Sequence, residues 1–200
     1  SSDVCSSDLP RGLGQSEGPF PSGRVGGAPF FFCFLLKDTI MKIIFLDFDG
    51  VLNNPKFLRS RQQQGVGVHQ VDPEAVKRLN RLVGSTGAKI VVASAWRHIW
   101  DPHDLGKILE KAGFQFGSSI IDRTPVGEAT RGQEIEEWLS LDPEREVVNP
   151  DHESVESFVI IDDVDEMLPH QQPNFVHIDG QVGLTDENVN DAIAILRMKL

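Results

Sequence analysis

The chain of 200 residues has few cysteines, no long apolar run and no histidine spacing typical of a metal site. Its two cysteines, Cys5 and Cys33, both lie within the first 40 residues. The remainder therefore holds neither a disulfide framework nor a thiolate metal site, which fits a reducing cytoplasm. No apolar run approaches the roughly 20 residues that a membrane-spanning helix needs, so we expect no membrane partner.

Basic residues are also scarce, because 19 Lys and Arg stand against 30 Asp and Glu, for a formal net charge of −11. Non-specific affinity for nucleic acid comes mostly from Lys and Arg that neutralise phosphates. The charge therefore argues against a general polyanion-binding surface and leaves room for a local basic groove. The oligomeric state cannot be predicted from these features.

Residues 1–40 differ in composition from the rest of the chain. They are rich in Gly, Pro and Ser without periodicity, and the apolar run Phe30–Leu36 lacks a clear signal-peptide context. Met41 directly precedes the first convincing strand. We expect residues 1–40 to be a disordered or non-native extension and residues 41–200 to form one domain.

From Met41 onward, apolar runs typical of buried strands alternate with amphipathic helical stretches. The pattern predicts an α/β fold, a Rossmann-like three-layer α/β/α sandwich with a mostly parallel sheet. Asp72 and Thr185 are predicted helix N-caps and Gly87 a helix stop, and residues 141–157 are predicted to be an exposed loop. The predicted strands are 42–48, 88–94, 118–125, 157–163 and 174–179, and the predicted helices are 72–87, 103–114, 131–141 and 185–200.

Polar side chains follow the three most apolar predicted strands. Asp47 and Asp49 end the first, Ser94 ends the second, and Asp162 with Asp163 ends the strand "SFVIIDD". Parallel strands in such a sheet end on the same side, where ligands bind, so these groups should converge. Carboxylates that close repel one another, and a hard divalent cation relieves the repulsion. The pattern therefore predicts a Mg²⁺ site.

The stretches "FLDFDGVLNN", "VVASAWR" and "FVIIDD" resemble three motifs of the haloacid dehalogenase (HAD) superfamily, which consists mostly of Mg²⁺-dependent phosphohydrolases. More narrowly, "ASAWR", "RGQEIEEWL", "IIDD" and "GLT" resemble the capless HAD-like phosphatase domains of Swiss Army Knife RNA repair proteins. The resemblance covers about residues 42–197.

The resemblance implies a role for each acidic residue. Asp47 would be the nucleophile that forms an aspartyl-phosphate, and Asp49 would protonate the leaving oxygen and then activate water. The Asp47 carboxylate, the Asp49 backbone carbonyl and Asp163 would bind Mg²⁺. Asp162 would lie in the outer coordination sphere, where it orients a water or a basic residue.

The resemblance also implies groups that bind the phosphate. Gly50 would let the backbone approach it, and Ser94 would donate a hydrogen bond to a phosphate oxygen. A basic residue is required as well, and because residues 112–198 contain no lysine it must be an arginine. Arg131 is the first choice, with Arg123 and Arg97 as competitors.

Trp96 and Arg97, which closely follow Ser94, each have two candidate roles. Arg97 is predicted to contact a second phosphate or the nucleophile. Trp96 would either stack on a base or anchor the following helix in the core. His98 could lie near the site, and the other histidines are expected to be solvated or structural.

No segment is long enough for a cap domain. The residues between Asn53 and Asp72 suffice for a β-flap, which would carry Arg59 and Arg61, and the span from Ser94 to Arg131 holds one helix and one short strand. An open site suits a phosphate on a large partner. The two flap arginines could reach such a partner or could be simple solvated charges.

The leading hypothesis is a Mg²⁺-dependent phosphohydrolase that acts on nucleotide or polynucleotide phosphates, including RNA ends. One alternative is a phosphotransferase that uses an acceptor other than water. Another is a catalytically weak binding module for phosphorylated partners, although a pure binder has no need of Asp49.

Overall fold

The computed structural model of the protein describes residues 40–63, 70–127, 129–140 and 154–198. The expectation for the N-terminal extension falls on residues outside these ranges, apart from Ile40, which begins a strand. Most of the loop predicted over residues 141–157 also lies outside them. Its last four residues are an exception, because residues 154–157 already belong to a strand. That part of the prediction is wrong, since these residues pair with residues 40–42 and extend the strand towards its N-terminus.

Five parallel strands form the sheet, in the spatial order β3-β2-β1-β4-β5. The first strand along the chain therefore lies at the centre, between the second and the fourth. This order confirms the predicted parallel α/β architecture. The strands are β1 (Ile40–Leu46), β2 (Lys89–Val92), β3 (Ile120–Arg123), β4 (Ser154–Asp162) and β5 (Phe175–His177).

Helices cover both faces of the sheet, as the three-layer prediction requires. On one face Ile44 and Leu46 of β1 pack in a large apolar cluster with side chains from α2, α3 and α5. On the other face Ile43 and Phe45 pack with Ile135 and Trp138 of α4. The helices are α1 (Pro55–Gln62), α2 (Pro73–Thr86), α3 (Pro102–Lys111), α4 (Arg131–Leu139) and α5 (Asp186–Arg197).

The helix boundaries follow from local capping chemistry. The Asp72 side chain accepts a hydrogen bond from the Glu74 amide and caps α2, and the Thr185 side chain accepts one from the Asn188 amide and caps α5. Gly87 ends α2 in the left-handed conformation, with φ 68°. These three predictions are confirmed.

The β-flap predicted to carry Arg59 and Arg61 is wrong, because the described part of that segment before residue 64 forms helix α1 instead. The Asn54 side chain accepts a hydrogen bond of 2.9 Å from the Phe57 amide, and Pro55 occupies the first helical turn. An N-cap asparagine followed by proline is a helix start, and the sequence analysis did not weigh it. Arg59 and Arg61 therefore lie on a helix.

The described residues contain no inserted cap domain. Between β2 and α4 they form two short 3₁₀ turns, α3 and β3, and between β1 and α2 they form α1. Among these residues no helix is both long enough and apolar enough to span a bilayer. The carboxyl-terminal end of the sheet is thus bordered by short turns and by α1.

Candidate active site

Three carboxylates meet at the carboxyl-terminal end of β1 and β4. Asp47, Asp162 and Asp163 each offer an oxygen, and these oxygens all lie within 4.8 Å of one another. The register of β1 against β4 explains why these carboxylates lie close together. Leu46 pairs with Ile161, and the Asp47 amide donates to the Ile161 carbonyl at 3.0 Å. The two acidic pairs therefore leave neighbouring strands at the same level.

Asp47 is buried, with 5% of its surface exposed. Burial raises its pKa to about 7, and the nearby charge of Asp162 adds to the shift, while Arg131 and a hydrogen bond from Ser94 oppose it. Arg131 donates to Asp47 Oδ1 from Nη1 over 3.3 Å. The site thus opposes ionisation of this carboxyl, although an arginine is already in contact with it.

Asp162 is buried more deeply and faces the same arginine. Its Oδ1 accepts a hydrogen bond of 3.0 Å from the Val164 amide, and its Oδ2 lies 3.1 Å from Arg131 Nη1. Oδ2 is thus buried with the Arg131 guanidinium as its partner among the described residues. Burial raises the pKa of Asp162, and the charge of Asp163 adds to this, against the attraction of Arg131.

Asp163 is held in a narrow slot between two glycines. A Cβ atom on Gly50 would lie 2.1 Å from Asp163 Oδ2, and one on Gly180 would lie 2.3 Å from the same oxygen. Gly50 also has φ 74°, a conformation that other residues rarely adopt. Glycine is therefore required at both positions for the carboxylate to reach Asp47 and Asp162.

The side chain of Asp49 points to a different set of partners. Its Oδ1 accepts a hydrogen bond of 2.9 Å from Asn53 Nδ2, and its Oδ2 accepts one of 2.9 Å from the indole Nε1 of Trp96. Asn53 is buried and also accepts from the Gly50 amide through Oδ1. The Asp49 carboxylate is therefore fixed in direction while remaining exposed to solvent. It is not a member of the carboxylate cluster, and the sequence-based prediction gave the metal its backbone carbonyl instead.

Trp96 is a core residue, which decides between the two roles left open for it. Only 3% of its surface is exposed, and its ring packs on Phe48 at 5.1 Å between centroids. It has no exposed face on which a base could stack. Sequence reasoning missed the function that its indole N–H serves at Asp49.

Ser94 is fully buried beside Asp47. Its Oγ accepts a hydrogen bond of 3.4 Å from the Trp96 amide and so caps the 3₁₀ turn of residues 95–98. The hydroxyl also hydrogen-bonds the Asp47 carboxyl, which lowers the pKa of that group. Ser94 thus caps the turn and contacts the site at the same time.

Glu134 is the acidic residue that sequence reasoning overlooked. It lies on α4, is 5% exposed, and accepts a hydrogen bond of 2.5 Å from Arg97 Nη2. Its second oxygen lies 3.8 Å from Arg131 Nε. A signal was available, because residues 131, 134, 135 and 138 share one helical face and the apolar side chains of Ile135 and Trp138 indicate that this face points inward.

The three candidate arginines have different surroundings. Arg131 contacts Asp47 and Asp162 directly. Arg97 is buried and donates to the Ser94 carbonyl over 2.9 Å, and burial lowers its pKa while Glu134 opposes the shift. Arg123 donates to the Arg97 carbonyl over 2.7 Å. His98, the histidine considered for the site, is exposed. Of the three, Arg131 is the one bonded to the Asp47 carboxyl.

The donor set suits a hard divalent cation. Three carboxylates converge with oxygens within 4.8 Å of one another, and burial raises the pKa values of two of them, Asp47 and Asp162. Mg²⁺ prefers oxygen ligands and is usually bound through one or two carboxylates together with waters and a phosphate. These residues therefore fit the ion that the motifs imply.

Comparison with known proteins supports the fold and the motifs. A search among curated proteins and a search among solved structures each gave no match. The family described as "HAD domain in Swiss Army Knife RNA repair proteins" matches residues 43–189, a range that includes every strand except the first residues of β1. Because this match spans most of the chain, the protein belongs to the HAD domain family of Swiss Army Knife RNA repair proteins.

Proposed function

We propose that the protein is a Mg²⁺-dependent phosphohydrolase that works through a phosphorylated aspartate, Asp47. Family membership implies a phosphatase-type hydrolase at most, and the more specific assignment depends on the site. The observation that carries it is the cluster of Asp47, Asp162 and Asp163, whose oxygens lie within 4.8 Å of one another beside Arg131.

Asp47, Asp163 and the backbone carbonyl of Asp49 would hold the metal, which when bound supplies positive charge that neutralises the carboxylates and the phosphoryl oxygens. Asp162 would remain outside the inner shell, because its Oδ1 is bonded to the Val164 amide and its Oδ2 faces Arg131. This arrangement leaves Asp162 to orient the arginine.

In the first step an oxygen of Asp47 attacks phosphorus. The new bond joins this oxygen to phosphorus, the bond from phosphorus to the leaving oxygen breaks, and Asp49 donates a proton to that oxygen. Trp96 and Asn53 fix the carboxyl of Asp49, and each of its oxygens keeps a second lone pair that can carry the proton.

In the second step Asp49, now ionised, accepts a proton from water. The water oxygen bonds to phosphorus, the acyl-phosphate bond to Asp47 breaks, and inorganic phosphate leaves. Asp49 thus acts as acid and then as base, so the cycle ends with both carboxyls in their starting states.

The transferred phosphoryl group would be held by Gly50, Ser94 and Arg131. Arg131 Nη1 already contacts Asp47, so its guanidinium lies where it can bind an oxygen of a phosphate attacked by that carboxyl. We revise the prediction for Arg97 from phosphate contact to positioning, because both of its terminal nitrogens are bonded to Ser94 and Glu134.

We propose a nucleotide or a polynucleotide end as the substrate. Two features support this choice: no cap domain stands among the described residues, and α1 carries Lys56, Arg59 and Arg61 with no acidic residue. An uncapped site accepts a phosphate on a large molecule, and a short basic helix suits contact with one end rather than a long footprint.

The test is turnover by the full chain and by Asp47→Asn. We expect the wild type with Mg²⁺ to hydrolyse an aryl phosphate and to prefer 3′- or 5′-phosphorylated RNA, DNA or mononucleotides over phosphopeptides. Asp47→Asn should show no turnover while keeping its circular dichroism spectrum. Undiminished turnover in that variant would overturn the mechanism, and Mg²⁺-dependent phosphate binding without product would favour a binding module.

A further inference from the structure

The geometry points to Glu134 as a residue that positions the groups that bind phosphate. We propose that Glu134 holds Arg131 beside Asp47 directly and, through Arg97, also holds the turn that begins at Ser94. This inference rests on the proposed function. Glu134 lies in the stretch "RGQEIEEWL", in which only Arg131 was given a role, and it touches no group that reacts.

The first link joins α4 to the turn after β2. Glu134 Oε1 accepts from Arg97 Nη2, and Arg97 Nη1 donates to the Ser94 carbonyl at 2.9 Å. The side chains of Glu134 and Arg97 are only 7% and 4% exposed. A buried ion pair of this kind has little freedom to rearrange, since loss of either partner leaves the other charge buried and unpaired.

The second link orients Arg131. Glu134 Oε2 lies 3.8 Å from Arg131 Nε, while Arg131 Nη1 contacts Asp47 at 3.3 Å and Asp162 at 3.1 Å. The carboxylates thus engage two of the three guanidinium nitrogens. Nη2 has no carboxylate partner within the described parts of the chain, and its two N–H groups are available for a phosphate oxygen.

The consequence concerns what happens when Asp47 changes partner. An arginine paired only to Asp47 and Asp162 would lose its contact with Asp47 once that carboxylate engages the cation and phosphorus, and Asp162 would then hold it through Nη1 alone. Glu134 keeps hold of the Nε side, so the guanidinium stays in place and presents Nη1 and Nη2 to the phosphoryl oxygens. One buried carboxylate thereby sets the positions of both phosphate-binding elements, Arg131 and Ser94.

The experiment is a double-mutant cycle read out as affinity for inorganic phosphate, measured by calorimetry with Mg²⁺ on the full chain. The four proteins are the wild type, Glu134→Gln, Arg131→Ala and the double variant. We expect Glu134→Gln to weaken phosphate binding about tenfold, because the neutral amide can still accept from Arg97 but no longer attracts Arg131 by its charge. In the Arg131→Ala background the same change should weaken binding less than threefold.

The matched control is Glu137→Gln, which removes an exposed carboxylate from the same helix and should leave phosphate affinity unchanged. Glu134→Asp keeps the charge but is shorter, so it should recover part of the loss. Melting temperatures establish that each variant is folded at the assay temperature. If Glu134→Gln weakens phosphate binding equally with and without Arg131, or not at all, the positioning role is refuted.

Phosphate affinity also separates this proposal from the proposed function. A wild type that binds phosphate but turns over no aryl phosphate would contradict the hydrolase mechanism and leave the cycle interpretable. Where turnover is observed, Glu134→Gln should raise KM more than it lowers kcat, since the chemistry belongs to Asp47 and Asp49.

Discussion

The indole N–H of Trp96 donates a hydrogen bond of 2.9 Å to Oδ2 of Asp49. The ring that carries it is buried and packs on Phe48, so the donor cannot move without disturbing the core. Asn53 holds the other oxygen of the carboxylate. A solvent-exposed acid that would act twice in the proposed reaction is thus held in one orientation by two hydrogen-bond donors.

Trp96→Phe should lower kcat by about tenfold and leave KM nearly unchanged. Phenylalanine keeps most of the core packing and removes the donor, so the Asp49 carboxyl group remains in the site but is no longer held in one orientation. Steady-state kinetics with an alkyl phosphate and with p-nitrophenyl phosphate would test this. The loss should be larger for the alkyl ester, whose leaving group needs the proton more.

The chain offers a closely matched control. Trp138 Nε1 donates to Asp122 Oδ2, an indole–carboxylate bond of the same kind in which no site residue takes part. Trp138→Phe should reduce the melting temperature by an amount similar to Trp96→Phe without affecting kcat. Equal losses of kcat in the two variants would show that the Trp96 effect is general destabilisation.

Gly50→Ala should abolish tight Mg²⁺ binding. The new Cβ would lie 2.1 Å from Asp163 Oδ2 and force that carboxylate away from Asp47. The backbone at φ 74° adds a conformational cost of about 1 kcal/mol. Gly87→Ala separates the two effects, because Gly87 has φ 68° but no atom within 4 Å of the added Cβ. Both variants should be less stable in calorimetric scans, and Gly50→Ala alone should lose Mg²⁺ affinity.

The acid cluster could be predicted from the sequence because it depends on few facts. Parallel strands end together, so the acids after β1 and β4 had to converge, and the apolar runs made both strands unmistakable. Helix α1 was missed because most of its side chains are polar and no residue in it is fully buried, which leaves only the Asn54-Pro55 start as a signal.

The supporting contacts could not be predicted in the same way. The bond from Trp96 to Asp49 joins residues 47 positions apart, and the pair Arg97–Glu134 joins residues 37 apart. Which of Arg97, Arg123 and Arg131 meets Asp47 depends on how α4 packs against the sheet. Periodicity indicates that a side chain faces inward, whereas its partner is decided by tertiary packing.

Asp47→Asn should stabilise the metal-free protein at neutral pH. The pKa of Asp47 is about 7 in the folded protein, against an ordinary value of 3.8 for an aspartate in the unfolded chain. Below pH 3.8 the group is mostly neutral in both states and costs nothing. As the pH rises towards 7 the unfolded chain loses its proton first, so the wild type loses stability by up to about 1.4 kcal/mol per pH unit.

Thermal scans in EDTA would measure this effect. At pH 7.5 the two pKa values imply a difference of up to about 4 kcal/mol, so we expect Asp47→Asn to melt roughly 10 °C above the wild type. At about pH 3 the two should melt within about 1 °C of each other, since Asp47 is then mostly protonated in both the folded and the unfolded chain. Saturating Mg²⁺ should reverse the order at pH 7.5, because the ion binds the wild-type carboxylate. A wild type that is the more stable protein in EDTA at pH 7.5 would contradict the burial cost assigned to Asp47.

Helix α1 supplies the last prediction, which concerns substrate size. It begins directly after Asn53 and its N-cap, Asn54. Asn53 donates a hydrogen bond to the Asp49 carboxylate. Asn54 Nδ2 donates to the Val182 carbonyl at 3.1 Å. That carbonyl lies two residues after Gly180, against which Asp163 packs. The start of α1 is therefore attached to two segments that form the site. Lys56 lies at this end of the helix, and Arg59 and Arg61 lie in its last turn.

The double variant Lys56→Ala/Arg59→Ala should raise KM for a phosphorylated RNA oligonucleotide about tenfold and leave KM for p-nitrophenyl phosphate unchanged. The reason is that an aryl phosphate has no second phosphate for these side chains to neutralise. The wild-type KM for the oligonucleotide should also rise with salt, and the variant should show a shallower slope, by about 0.7 per lost phosphate contact. Lys107→Ala removes a lysine paired with Asp104 on α3 and serves as the control. Equal changes in KM for the two substrates would exclude α1 as a polynucleotide contact. A surface that binds the RNA beyond the phosphate that is hydrolysed must affect the KM of the oligonucleotide, because the aryl phosphate has nothing there to bind.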